Sequence, residues 1–98
     1  MDPERVAAAV RGCPAVARLS SGQFGEVASY LPNQRVDGVR TLAGDDVEVH
    51  VVLWYGIPVE EAVAQVRAAV RAAAPDVVAV DVVVADLAHL AEAPGGVP

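Results

Sequence analysis

Apolar and polar residues alternate over residues 47–51 and an apolar run continues to residue 55, a pattern that predicts a β-strand with two different faces. The first face is expected to meet helices and carries Val47, Val49, Val51, Leu53 and Tyr55. The second face carries Glu48, His50, Val52 and Trp54. Residues 36–42 predict a preceding strand, interrupted at Gly38, and residues 43–46 supply a tight turn. We therefore expect the two strands to form an antiparallel hairpin.

Two other segments have the pattern of helices. Asp2, Pro3 and Glu4 provide a capping side chain, a ring suited to the first turn and an early carboxylate, so they predict a helix that runs to residue 11. Residues 59–74 predict a longer helix that ends at Pro75. Its apolar side chains recur at helical spacing and are Val59, Val63, Val66, Val70 and Ala73.

Shorter strands are predicted at 15–19 and 77–85, while residues 20–35 predict an ordered loop anchored by Phe24 and Tyr30. The predicted element order is α-β-β-β-α-β. Because strand–helix–strand connections are right-handed and join parallel strands, the last two strands should be parallel. The predicted fold class is α/β, a two-layer α+β sandwich in which a mixed sheet carries both helices on one face. We expect one domain over residues 1–90 and a disordered tail over 91–98.

The sheet face away from the helices predicts a site of association. The last strand adds Val77, Ala79, Asp81 and Val83 to this second face, which is therefore neither clearly polar nor clearly apolar. Helices on the other side cannot cover it. We expect an interaction surface anchored by Trp54 and formed by Trp54, Val52, His50 and Val83. The alternatives are that the 20–35 loop folds across this face, or that it is ordinary surface.

Composition and charge weigh against several classes of function. The chain has 98 residues, 54% of them hydrophobic, and a formal net charge of −6. Nucleic-acid binding needs a basic face that displaces counterions from phosphates, and an acidic surface also fits anionic lipids poorly. No apolar run approaches the roughly 20 residues that span a bilayer. With an acidic N-terminus and the single Cys13, the sequence predicts a cytoplasmic protein without direct membrane insertion.

Known catalytic, nucleotide-binding and metal-binding motifs are absent from the sequence, so we expect no enzyme, no cofactor and no metal site. Cys13 follows a helix instead of preceding one, which favours a structural role. The polar group at the hairpin matches no ligand spacing and favours a solvated surface; it consists of Asp45, Asp46, Glu48 and His50. Gly22 and Gly25 have the GxxG spacing with which KH domains clamp a nucleic-acid backbone, but Glu26 follows them and no basic residue lies between.

Three stretches resemble the alkaline-shock or general-stress protein family, bacterial envelope-stress proteins with short actinobacterial members. They are GEVASYLP at 25–32, VEVHVVLWYG at 47–56 running into IPV, and the valine-rich strand at 77–86. The resemblance covers most of residues 4–86. It implies a non-enzymatic cytoplasmic protein, held in some members at the inner face of the cell membrane by a small membrane-anchored partner. This chain is short and lacks the family's long charged tail, and the family offers no catalytic residues to carry over.

The expected function is therefore that of a stress-response scaffold or interaction module. It would act through self-association as a homo-oligomer, or through a protein partner such as a small membrane-anchored protein. One alternative is a KH-like nucleic-acid-binding module that uses Gly22 and Gly25. Another is a domain that binds a small molecule or a metal.

Overall fold

Both helices form where the sequence predicts them. The computed structural model describes residues 1–89, in which helix α1 spans Pro3–Arg11 and helix α2 spans Val59–Ala73. Asp2 Oδ1 accepts a hydrogen bond of 3.0 Å from the Glu4 backbone N–H and caps α1. No side chain of the described residues caps helix α2, but Glu60 and Glu61 in its first turn complement the helix dipole.

Within residues 1–89, six strands make up the rest of the fold. They are β1 (Val16–Leu19), β2 (Ala28–Leu31), β3 (Gln34–Asp37), β4 (Val39–Thr41), β5 (Val47–Trp54) and β6 (Val80–Ala88). In the main sheet β5 is central. Strands β1 and β4 pair antiparallel with different halves of one side of β5, and β6 pairs in parallel with its other side. The mixed sheet and its predicted parallel pair are confirmed.

The core lies between the first face of β5 and the two helices. Val47, Val49, Val51 and Leu53 are fully buried, and they form one cluster with the inward side chains of α1 and α2, which include Val6, Val10, Val66 and Val70. Both helices therefore pack on one face of the sheet, as predicted. Tyr55, expected on the same face, is instead exposed beyond the end of β5 and stacks on His89.

The segment predicted as a loop over residues 20–35 contains two strands. Strands β2 and β3 form a separate antiparallel hairpin. The strand predicted over 36–42 is divided at Gly38, whose φ is +83°. Its first part extends β3, and its second part is β4, which pairs with β5 as expected. The predicted order α-β-β-β-α-β thus describes the main sheet, with the β2–β3 hairpin inserted between β1 and β4.

The last strand begins later than predicted, at Val80 instead of residue 77. Arg71 donates hydrogen bonds to the carbonyls of Val77 and Val78, and Asp46 Oδ1 accepts one from the Ala79 N–H. These contacts hold residues 77–79 as a connection to the strand. The predicted end of the domain at residue 90 and the predicted disordered tail lie outside the described residues.

Candidate functional site on the second sheet face

The structure brings the four residues of the predicted interaction surface onto one sheet face. His50 lies directly opposite Val83 in the parallel pairing of β5 with β6. Val52 and Trp54 follow on the same side of β5, because alternate residues of a strand share a face. The second face is therefore continuous from His50 to Trp54.

These four side chains differ in exposure. Val83 is 38% exposed, and His50 and Trp54 are partly buried. Val52 is only 3% exposed, so its expected place in an open surface is wrong. The turn over residues 20–23 lies beside Val52 and lines a pocket with it. The alternative, that the 20–35 segment crosses the second face, is thus correct for residues 20–23, which cover the middle of that face at Val52. The β2–β3 hairpin lies elsewhere and contacts α1 through the Gln34–Glu4 hydrogen bond.

A compact group of charged side chains lies at one end of the second face. Glu48 Oε1 accepts a hydrogen bond from Arg40 Nη2 at 2.6 Å and lies 2.8 Å from His50 Nε2. The hydrogen bond from His50, followed by the charges of Arg40 and His50, lowers the pKa of Glu48. Arg40 is on β4 directly opposite Glu48. The group therefore holds β4 to β5 across the sheet.

This group leads to a pH-dependent prediction. Because the pKa of Glu48 lies below its ordinary value of 4.5 in the folded state, its contribution to stability is present above that value and is lost as the pH falls through the lowered one. Glu48→Gln should lower the free energy of unfolding by about 1 kcal/mol near neutral pH and reduce the loss of stability on acidification. Urea unfolding near pH 7 and near pH 3 measures both effects.

The matched control is Asp81→Asn, because Asp81 lies opposite Glu48 on β6 but forms no ion pair within residues 1–89. It should leave the free energy of unfolding at neutral pH nearly unchanged. Equal destabilisation by both substitutions would show that the Glu48 contacts contribute nothing specific.

Two β-bulges flank β5 at the same level of the sheet. On one side Val16 pairs with Leu53 and Arg18 with Val52, so Ala17 is the extra residue of β1. On the other side Val84 pairs with Val51 and Asp86 with Val52, so Ala85 is the extra residue of β6. A bulge turns the following side chains to the opposite face. Both Arg18 and Asp86 consequently lie beside Val52 on the second face instead of pointing into the core.

Arg18 and Asp86 are the site residues that the sequence analysis did not find. They line a pocket of about 410 Å³ together with Leu19, Ser20, Ser21, Gly22, Gln23, Val52 and Ala85. The available signal was Arg18 within the predicted strand 15–19 and Asp86 directly after the predicted strand 77–85. Only the bulges, which depend on strand pairing, bring these two residues together.

The aromatic side chains all lie outside the core. The chain has one Trp, two Tyr and one Phe. Phe24, Tyr30 and Tyr55 are largely exposed, and Trp54 is partly buried. The expectation that Phe24 and Tyr30 anchor the 20–35 segment is therefore wrong. Val27 of this segment and Val36, which directly follows it, are buried instead.

Strand β6 forms an edge of the main sheet, and within residues 1–89 its outer side pairs with no other strand. The carbonyl of Ala79 accepts from Val47 on β5, whereas that of Val80 accepts from the Arg67 side chain. Backbone groups of successive strand residues point to opposite sides. The even-numbered residues Val80, Val82 and Val84 therefore present their N–H and C=O groups at the open edge.

Other candidate sites of the sequence find different partners. Gly22 and Gly25 lie in a turn where Glu26 Oε2 accepts a hydrogen bond of 2.9 Å from Phe24 N–H, so a carboxylate of the chain itself contacts the backbone of this turn. Asp46 contacts Ala79, and Glu48 contacts Arg40. In the described part of the chain no three His, Cys, Asp or Glu side chains converge as a metal site. Burial raises the pKa of the Cys13 thiol.

The comparisons with known proteins identify no relative. No protein-family model matches the chain, and neither a curated protein nor a solved structure is significantly similar to it. Neither helix within residues 1–89 is long and apolar enough to cross a membrane.

Proposed function

We propose that this chain is a non-enzymatic interaction module that acts by self-association, in which two copies pair through the outer edge of β6. The observation that carries the proposal is the open edge itself. It belongs to a nine-residue strand rich in valine, and it contains neither proline nor lysine. Soluble proteins normally protect such edges from pairing with short strands, charges, proline or bulges.

The protection of β6 is incomplete and leaves one stretch available. The bulge at Ala85 and the carboxylate of Asp86 interrupt the C-terminal half of the strand. Arg67 occupies the carbonyl of Val80 at 3.2 Å. Between these two points lie Val82 and Val84, whose backbone donors and acceptors face outward. A second strand could form main-chain hydrogen bonds with these N–H and C=O groups.

The sequence of this stretch is compatible with antiparallel pairing to itself. With Val82 at the two-fold axis, Val80 lies opposite Val84 of the second copy, and Asp81 lies opposite Val83 of the second copy. No two carboxylates then face each other, and the valines of the two copies pack side by side. A two-fold interface uses the same patch on both copies, so each of these pairs occurs twice.

The resemblance to the alkaline-shock or general-stress family supports a role as a scaffold in the response to envelope stress inside the cell. Self-association would multiply the surfaces that such a scaffold offers to a small membrane-anchored partner. Trp54, expected as the anchor of association, lies opposite Ala88 at the far end of β6. Trp54 therefore lies outside the proposed pairing stretch, within which Val83 is the exposed apolar residue of the second face.

Sedimentation velocity over a concentration series tests this proposal. We expect the 10.1-kDa chain to shift towards twice its monomer mass as its concentration rises. Because each copy carries a net charge of −6, higher salt should strengthen the association by screening repulsion between copies. A mass that stays monomeric at every concentration and salt level would refute self-association.

Substitutions of Val83 test the pairing itself. Val83→Asp would place a carboxylate opposite Asp81 of the second copy, twice per dimer, and should weaken association by about tenfold or more. Val83→Lys would place a cation there and should preserve it. The control is Val59→Asp, because Val59 has a similar exposure of 46% but lies at the start of α2. Equal weakening by Val83→Asp and Val59→Asp would contradict the proposed pairing.

A further inference from the structure

We propose that the pocket beside Val52 binds a small zwitterion of the α-amino-acid class, with Arg18 holding its carboxylate and Asp86 its ammonium group. The proposal concerns a site different from the outer edge of β6, and it does not depend on self-association. It rests on the convergence of two oppositely charged residues, an apolar floor and a polar rim in one concave site.

The two charged residues reach the pocket by the same structural device. Arg18 and Asp86 both pair with Val52, one on each side of β5, and each directly follows a bulge. Regular pairing would direct each of them towards the helices, into the apolar core. The coincidence of two bulges at one level therefore builds a row of cation, apolar side chain and anion across the sheet. Bulges are frequent beside binding sites, where they re-aim side chains in this way.

Both charges retain unused binding capacity. The side chain of Arg18 forms no hydrogen bond or ion pair with any of residues 1–89, and the side chain of Asp86 forms no ion pair there. Asp86 Oδ1 accepts a hydrogen bond of 2.8 Å from the Leu87 N–H, which fixes the carboxylate and leaves its second oxygen. Since strands lie about 4.8 Å apart, the Cα atoms of the two residues are about 10 Å apart. A small molecule with two opposite charges fits between their side chains.

The size and lining of the pocket agree with a small polar ligand. Its volume of about 410 Å³ lies near the lower end of the range for small-molecule sites, which is about 300–1,000 Å³. Val52 forms an apolar floor, while Ser20, Ser21 and Gln23 line it from the turn. Ser20 Oγ accepts a hydrogen bond of 3.2 Å from Gly22 N–H, which holds this turn in shape.

Charge distinguishes a zwitterion from a simple ion. The chain has a net charge of −6, and Asp86 lies in the pocket wall, so an anion without a positive group would be repelled. A simple cation would meet the guanidinium of Arg18. A molecule with adjacent carboxylate and ammonium groups can pair with both Arg18 and Asp86. Because it has no net charge, the negative charge of the protein does not repel it.

Isothermal titration calorimetry with a panel of free L-amino acids at millimolar concentrations tests the proposal. Each amino acid is compared with its N-acetyl derivative, which lacks the cation, and with its amide, which lacks the anion. Trp54, the single tryptophan, is the next residue of β5 after Val52 whose side chain lies on the second face, so its fluorescence gives a second readout. We expect at least one free amino acid to bind, and both derivatives to bind about tenfold more weakly or worse.

Variants connect the binding to the two charged walls. Arg18→Gln and Asp86→Asn should each weaken binding of the amino acid by about tenfold or more. Arg5→Gln and Asp81→Asn remove the same charges from exposed positions outside the pocket, and they should leave affinity unchanged. The proposal fails if no free amino acid binds, if the N-acetyl derivative binds as tightly as the free one, or if the pocket variants bind as tightly as their controls.

Discussion

We expect Gly38→Ala to lower the free energy of unfolding by about 2–5 kcal/mol, a large part of the stability of a small domain. The backbone of Gly38 has a φ of +83°, which residues with a Cβ adopt only at a cost. A Cβ at this position would also lie 2.7 Å from Leu19 Cβ and 3.3 Å from the Ser20 backbone N. Neither neighbour can move freely, because both belong to the path of β1 along β5.

The close approach at Gly38 follows from the topology. Strand β1 ends at Leu19 and β4 starts at Val39, and both lie end to end along the same side of β5. The chain leaves this edge for the β2–β3 hairpin and returns at Gly38, whose N–H donates to Val27 and whose carbonyl accepts from His50 N–H. The position thus has to accommodate the departing and the returning chain at once.

Gly44→Ala is the matched control for this substitution. Gly44 also has a positive φ, of +73°, but nothing lies within 4 Å of a Cβ placed there. Gly44→Ala should therefore lower the free energy of unfolding only by the backbone strain, about 1–2 kcal/mol. Chemical denaturation of the three proteins measures the difference. Equal losses of stability for the two alanine variants would show that β1 and β4 do not meet as closely as described.

The second large effect is expected for Leu53→Ala, which should destabilise the protein by about 2–5 kcal/mol. Leu53 is the largest of the fully buried side chains, in a core built almost entirely from valine and alanine. It lies on the central strand between β1 and β6, so little of the surrounding structure can collapse into the cavity left by the substitution.

Leu87→Ala provides the comparison for the same loss of side-chain atoms. Leu87 pairs with Leu53 across the sheet, but it is exposed at the edge. Leu87→Ala should cost less than about 1 kcal/mol, because the Leu87 side chain is already partly in water and its truncation removes little buried apolar area. Thermal or urea unfolding distinguishes the two cases. A cost for Leu87→Ala as large as that for Leu53→Ala would contradict the placement of Leu53 in the core and of Leu87 at its edge.

The sequence was sufficient where local signals determine structure. Asp2 and Pro3 predict the start of α1, and the apolar spacing of residues 59–74 predicts α2 to within one residue of its end. The alternation in β5 separates a buried face from a partly covered one, because a strand between a core and solvent has to follow that period. The fold class follows from these elements and from the handedness of the crossover.

The sequence was insufficient where position depends on pairing with distant residues. The last strand is almost uniformly valine before Ala85, so no apolar pattern sets its start, and the contacts of Arg71 and Asp46 determine it instead. Residues of the β2–β3 hairpin lack the alternating β-branched pattern of strands. The pocket was missed for the same reason. Its charged walls are placed by bulges, which exist only relative to β5.

Self-association through β6 is tested most directly by amide hydrogen exchange of this strand as a function of protein concentration. In a free monomer the N–H groups of Val82 and Val84 face solvent and should exchange rapidly, whereas those within β5 are protected by the sheet. The account predicts that protection of Val82 and Val84 rises with concentration while that of β5 stays constant. Rapid exchange at both positions at all concentrations would contradict it.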